Sequence, residues 1–190
     1  MDFTMLVNKE HLLARDYVPE GLVEIKEPTG EKLDKTYVNR LNAEAYKAFK
    51  QMQSEALKAG YEIFVDSSYR SYEYQERVFN HVAAQKGLAH AEKFVAVAGG
   101  SEHQTGLAVD VIFRRNGEMI EEQSEDDAEI KWLFEHAYEF GFILRFPKGK
   151  EKVTGFNFEP WHFRFVGQKV AEEMYTAGIT LEEYHQAKEK

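Results

Sequence analysis

The sequence contains no cysteine. No disulfide can staple this chain, no thiol can act as a nucleophile, and every zinc site built on thiolates is excluded. A metal here would have to be held by His, Asp and Glu. Proline is also scarce, with four in 190 residues, and the thirteen glycines show no periodic spacing. Low-complexity and repeat architectures are therefore not indicated. The chain lacks any apolar run of about eighteen residues, the length that a membrane-spanning helix requires. It also lacks basic excess: the formal net charge of -9 repels phosphate backbones, so no nucleic-acid partner is expected.

What is present is the composition of a globular protein, 43% apolar and 30% charged. A domain of this length buries roughly 70% of the surface its unfolded chain would expose. The first thirty-five residues, with Pro19, Gly21, Pro28 and Gly30 between short apolar runs, read as an N-terminal arm with one or two short strands. Residues 36–190 read as the main body, packed with the arm as one globular unit. Helical composition runs from Tyr37 to Ala59 with Gly60 as terminal cap, and Ala45, Ala48, Phe49, Met52 and Ala56 form its buried face. Tyr61–Val65 predicts a strand, 72–86 a second helix, 89–98 a third that Gly99-Gly100 ends, and Leu107–Phe113 a central strand.

Beyond these, Glu125-Asp126-Asp127 opens a helix with Ile130, Leu133, Phe134, Ala137 and Tyr138 as its apolar stripe, ended by Gly141. Strands follow at 142–146 and 161–166. The tail from Gln168 predicts one or two helices broken at Gly178, with Thr180 and Glu183 as a capping box. The fold class is α+β: a single domain with a mainly antiparallel sheet and helices packed around it.

Of the seven histidines, His81, His90, His136 and His185 fall in predicted helices among charged neighbours, and His11 lies in the arm. These read as surface or packing residues. Two others differ. His103 lies in Ser101-Glu102-His103-Gln104-Thr105-Gly106-Leu107-Ala108-Val109-Asp110. There Gly106 permits a close backbone approach, and Asp110 stands in an apolar strand. A carboxylate between Val109 and Val111 is expensive to bury unless paired or metal-bound; the alternative is an edge position facing solvent. His162 lies in Phe158-Glu159-Pro160-Trp161-His162-Phe163-Arg164, where Pro160 argues against a helix interior.

Two His and one Asp make a three-ligand site with a fourth position open, the catalytic kind of zinc site. Glu159 is the candidate general base for a metal-activated water. In Ser67-Ser68-Tyr69-Arg70-Ser71-Tyr72-Glu73-Tyr74-Gln75, Arg70 sits between a turn and a helix start. Its guanidinium suits a substrate carboxylate or a developing oxyanion there, although an isolated arginine is more often a surface residue.

Together, SSYRSYEYQ, SEHQTGLAVD and FEPWHFRFVG resemble the VanY-like D-alanyl-D-alanine carboxypeptidases, zinc peptidases related to D-Ala-D-Ala dipeptidases, L,D-carboxypeptidases and hedgehog-type domains. The likeness runs from about Leu6 to about Tyr184. It implies one zinc ion per chain on His103, Asp110 and His162, with Glu159 as catalytic base. It also implies a substrate site lined by Arg70, Gln75 and Ser101, with Trp161 as a wall or a structural residue. Arg145-Phe146-Pro147 and Arg164-Phe165-Val166 depart from the RYP and RYV that the family often has, losing two phenolic hydroxyls.

The implied partner is a peptidoglycan stem peptide or precursor, from which a C-terminal D-alanine is hydrolysed. The D-Ala-D-Ala bond is favoured, with the L,D bond of a tetrapeptide stem as the alternative. Dipeptidase-capable relatives carry an acidic residue where this chain has Ser67, with Asp66 one place further, so dipeptide cleavage is disfavoured. A zinc-stabilised binding module without catalysis is the reading from another class; the presence of Glu159 argues against it. Cell-wall remodelling and antibiotic resistance are both roles the resemblance carries. The N-terminal residues Met1-Asp2-Phe3-Thr4-Met5-Leu6-Val7-Asn8-Lys9 show no signal-peptide pattern. The expectation is a cytoplasmic chain, or one on the cell-wall side if an export segment has been removed.

Overall fold

A computed structural model describes residues 2–30, 32–34 and 36–188. Residues 35, 189 and 190, at the expected arm boundary and the end of the tail, lie outside the described residues. The strands are β1 (Leu22–Glu24), β2 (Arg40–Asn42), β3 (Glu62–Ser67), β4 (Ala108–Arg115), β5 (Glu118–Ile120), β6 (Phe142–Leu144) and β7 (His162–Phe165). The α-helices are α1 (Ala43–Lys58), α2 (Tyr72–Lys86), α3 (Leu88–Phe94), α4 (Ala128–His136), α5 (Glu151–Thr154), α6 (Gln168–Ala177) and α7 (Leu181–Lys188). Two 3₁₀ turns, Glu102–Thr105 and Ala137–Phe140, complete the set.

The main sheet runs β3-β4-β7-β6 with every pairing antiparallel, and β5 forms a hairpin with the far end of β4. Strand alternation divides it into two faces. Leu107, Val109, Val111 and Phe113 point one way with Phe163 and Phe165, into a core completed by Phe49, Met52, Ile130, Leu133 and Phe142. Asp110, His162 and Arg164 therefore share the opposite face, where Asp110 pairs in register with Ser67 on β3 and with His162 on β7. A bulge between Val65 and Ser67 re-aims the end of β3 so that Ser67, not Asp66, stands beside Asp110.

The α+β architecture agrees with the sequence reading, and most elements lie where their patterns place them. Ala45, Phe49, Met52 and Ala56 are fully buried on α1, and Ala48 packs against the same core. Thr180 and Glu183 form the reciprocal capping box: the Thr180 N–H donates to the Glu183 carboxylate at 2.8 Å, and the Glu183 N–H donates to Thr180 Oγ at 3.3 Å.

The first helix begins six residues later than its composition indicates. Asn42 supplies the cap, accepting from the Glu44 and Ala45 N–H groups, and residues 40–42 pair with β1 instead. The third helix stops at Phe94 rather than 98, because the backbone at Val95 is already extended. The short elements β5 and α5 carried no periodic signal, being three and four residues long.

Gly106 has φ +67°, and a Cβ there would stand 2.5 Å from Leu22 Cδ2. This glycine is what lets the His103 turn swing directly into β4. Gly106→Ala should lose about 1–3 kcal/mol of stability from left-handed backbone strain, visible as a lower urea midpoint. An unchanged midpoint would show that the turn relaxes freely.

Candidate active site

Three short-range devices deliver the polar side chains to one cleft. The 3₁₀ turn Glu102–Thr105, closed by Gly106, presents His103. Central strand β4 presents Asp110. A β-turn across Glu159-Pro160-Trp161-His162, in which the His162 N–H donates to the Glu159 carbonyl at 3.3 Å, delivers base candidate and ligand candidate together. Pro160 occupies the second position of that turn, where its fixed φ is favoured. Its spacing is thus a turn spacing, not a helical one.

Asp110 is the hub. Its Oδ1 lies 2.8 Å from His162 Nδ1, and its Oδ2 lies 3.3 Å from His103 Nε2 and 2.7 Å from Arg70 Nη2. One donor atom from each of His103, Asp110 and His162 lies within 4.8 Å of the others. The remaining imidazole nitrogens decide whether a metal fits. His103 Nδ1 lies 2.7 Å from the Ser68 carbonyl, which can only accept, so Nδ1 carries the proton and the Nε2 lone pair faces Asp110. His162 Nε2 lies 3.2 Å from Glu102 Oε1, leaving Nδ1 toward Asp110. Both rings are oriented by an acceptor behind them, as metal-ligating imidazoles usually are.

The electrostatics point the same way. Burial would raise the Asp110 pKa, but His103, His162 and Arg70 hold the carboxyl well below its usual range. Burial would lower His162, yet its hydrogen bonds to Asp110 and Glu102 carry it up to about 9. Burial and the nearby Arg70 guanidinium instead lower His103. The space between Asp110 and His162 thus favours a positive charge, which a proton or a metal ion can supply. Nitrogen and oxygen donors with no sulfur, in a set of three, fit zinc.

Glu159 is 6% exposed, with Oε2 4.0 Å from His162 Nδ1. Burial, reinforced by Asp110 and opposed by His162, pushes its pKa up to about 8. A buried carboxyl with a raised pKa beside a candidate metal site has the character of a proton-transfer group. Arg70 is fixed by three contacts, donating to Asp110, to Ser67 Oγ at 3.0 Å and to Gln75 Oε1 at 3.3 Å. Gln75, whose amide also donates to the Ala96 carbonyl at 2.8 Å, therefore sits beneath Arg70. Ser101 and the half-buried Trp161 line the same cleft, of about 170 Å³. Trp161 also borders an adjoining groove of about 230 Å³ that contains Asp66 and Gln123.

Every site residue singled out in the sequence thus converges here, while His81, His90, His136 and His185 lie on helices elsewhere. Residues 38–168 match the family described as VanY, D-alanyl-D-alanine carboxypeptidase. The chain belongs to that family.

YodJ of Bacillus subtilis (strain 168), provisionally named a carboxypeptidase, is 42% identical over 97% of this chain and 67% of its own length. Among solved structures, the LD-carboxypeptidase LdcB is 42% identical with a TM-score of 0.82, covering 95% of this chain and 84% of that one. A variant of the vancomycin-resistance D,D-pentapeptidase VanY, in complex with Zn(II), is 32% identical with a TM-score of 0.80, over 97% and 99% of the two chains. This protein is therefore an enzyme of the VanY carboxypeptidase family.

Four charged residues escaped the sequence reading as parts of the site. Glu102, Arg145, Arg164 and Glu182 form a buried array directly behind His162. The signal available was the one that exposed Asp110, a charge inside an apolar run, as in Leu144-Arg145-Phe146 and Phe163-Arg164-Phe165. The two departures from the family pattern leave the candidate metal donors untouched. Phe146 stacks on His162 with ring centroids 5.0 Å apart, and Phe165 meets Phe3 edge-on in the core.

The purified protein should carry about one zinc per chain by elemental analysis. His103→Ala and His162→Ala should each abolish that binding. Full zinc retention by both variants would disprove the ligand set.

Proposed function

We propose that this enzyme is a zinc-dependent carboxypeptidase that releases the C-terminal D-alanine from peptidoglycan stem peptides or their precursors. The observation that carries the reading is the placement of a buried carboxyl of raised pKa, Glu159, beside a His-Asp-His set whose rings are both oriented for a metal. A module that only bound zinc would have no use for that carboxyl, which is costly to hold in an apolar setting.

His103, Asp110 and His162 would hold the ion. Zinc bound there supplies polarisation of the scissile carbonyl and a lowered pKa for water. A divalent cation beside Glu159 favours its ionised form. Glu159 then accepts a proton from the attacking water and returns it to the leaving amine as the peptide C–N bond breaks. The products are the shortened peptide, with a new carboxylate, and free D-alanine. Arg70 lies against ligand Asp110 rather than at the far end of the cleft. That position favours stabilising the developing oxyanion over gripping the terminal carboxylate.

The D-Ala-D-Ala bond is the first reading for the bond cut. The L,D bond of a tetrapeptide stem is the second, favoured by the 42% identity to an LD-carboxypeptidase. Free dipeptide is the poorest fit. The Asp66 carboxylate that would receive a free amino terminus already accepts from the Gly30 N–H at 2.9 Å, Thr29 Oγ at 3.2 Å and Lys32 Nζ at 2.6 Å.

Released D-alanine can be measured on penta-, tetra- and dipeptide substrates, with and without chelator. Glu159→Ala should lower release by about 10²–10⁴-fold while zinc content stays unchanged. Undiminished release by that variant would refute the mechanism. Release from the tetrapeptide alone would reassign the bond.

A further inference from the structure

The bulkiest fully buried side chains in the described residues are not hydrocarbons but Arg145 and Arg164, at 1% and 0% exposure. Two guanidiniums in the interior are tolerable only if paired and fully hydrogen-bonded. Both converge on one oxygen of one residue: Arg145 Nε donates to Glu102 Oε2 at 2.8 Å, and Arg164 Nη1 donates to it at 3.2 Å. The other oxygen, Oε1, is left for His162 Nε2 at 3.2 Å.

Each arginine is anchored again at its far end. Arg145 makes a two-pronged contact with Glu182 on α7, at 2.9 and 2.6 Å, and Asn8 donates to that same carboxylate. Arg164 Nη2 donates to the carbonyls of Phe3 and Met5 at 3.0 and 2.8 Å. Segments from both ends of the chain therefore fix the orientation of a single carboxylate.

We infer that Glu102 is a positioning residue for the metal site, holding His162 in the tautomer whose Nδ1 lone pair faces Asp110. This rests on the assignment of His162 as a zinc ligand made above. An ionised carboxylate only accepts, so a neutral His162 must carry its proton on Nε2 and present Nδ1 bare. The arginines leave Oε1 no alternative direction. Both donate to Oε2, so the carboxylate cannot turn away without breaking two buried charge-assisted bonds.

This predicts an unusual consequence for a nearly isosteric change. In Glu102→Gln the amide oxygen must face the two arginines, because the amide nitrogen would set donor against donor. The NH₂ group then faces His162 Nε2, which must become the acceptor, and the ring proton moves to Nδ1, where it blocks the ligand nitrogen. Zinc affinity, measured by competition with a chromogenic chelator, should fall about 10–100-fold. Glu129→Gln, which weakens a buried carboxylate's pairing with Arg115 away from the site, should lower thermal stability and leave zinc affinity at the wild-type value.

Long-range ¹H–¹⁵N correlation spectra of the zinc-loaded wild type read the tautomer directly, independently of whether any variant folds. A proton on His162 Nε2 is expected. A proton on Nδ1, or wild-type zinc affinity in a folded Glu102→Gln protein, would overturn the inference. A wild-type protein that binds no zinc at all would instead refute the ligand assignment on which it rests.

Discussion

The carboxylate of Asp110 sits where a carboxylate is least welcome, in the middle of a central strand with paired strands on both sides. Stranded alone it would be protonated or would disrupt the sheet. It is kept charged by His103, His162 and Arg70, each from a different segment of the chain. The dependence also runs the other way. Arg70 follows β3 in sequence and has no reason to turn inward except this contact and its bonds to Ser67 and Gln75. The 3₁₀ turn carrying His103 closes back onto the segment that follows β3, where the His103 carbonyl accepts from the Arg70 N–H and the ring Nδ1–H donates to the Ser68 carbonyl. Removing the Asp110 charge would leave a guanidinium and two imidazoles converging on nothing.

A sheet can carry such a charge only because its other face is wholly apolar. Alternation along β4 and β7 sends Val109, Val111, Phe163 and Phe165 into the core beneath α1 and α4, and burial of each large side chain contributes about 1.5–3 kcal/mol. Stabilisation thus comes from one face and chemistry from the other. The array behind His162 follows the same division. Buried ion pairs are weak sources of net stability, since desolvation offsets much of their attraction. Glu102, Arg145, Arg164 and Glu182 are therefore better explained by the orientation they impose than by the free energy they add.

Much of this was legible in the chain, and for identifiable reasons. The buried face of α1 and the Thr180–Glu183 box follow from local periodicity and capping chemistry. Asp110, His103 and His162 stood out because each was the wrong kind of residue for its surroundings or sat beside a backbone-permissive glycine. The start of α1 did not, because Tyr37–Asn42 has helical composition and only the long-range pairing with β1 overrides it. Arg145 and Arg164 were as anomalous in sequence as Asp110. Long arginines, however, often snorkel from apolar strands to water, and nothing local says that these two turn inward to share Glu102. The distance between Glu102 and its partners, 43 residues to Arg145 and 62 to Arg164, is a tertiary fact.

The same geometry bears on why the proposed activity would trim an end rather than cut within a chain. On one side of Asp110 lies a narrow cleft of about 170 Å³ bounded by Arg70, Ser101, Phe146 and Phe156, with Val7 of the N-terminal segment contributing to its wall. That space suits one small terminal residue. On the other side, past Trp161, runs the groove containing Asp66 and Gln123. The Gln123 amide donates to the Val111 carbonyl, which fixes its orientation. In the proposed reading, a stem peptide lies along that groove while its last residue fills the cleft. The asymmetry of the two spaces around one carboxylate would then set both the direction of the substrate and the bond presented to Glu159.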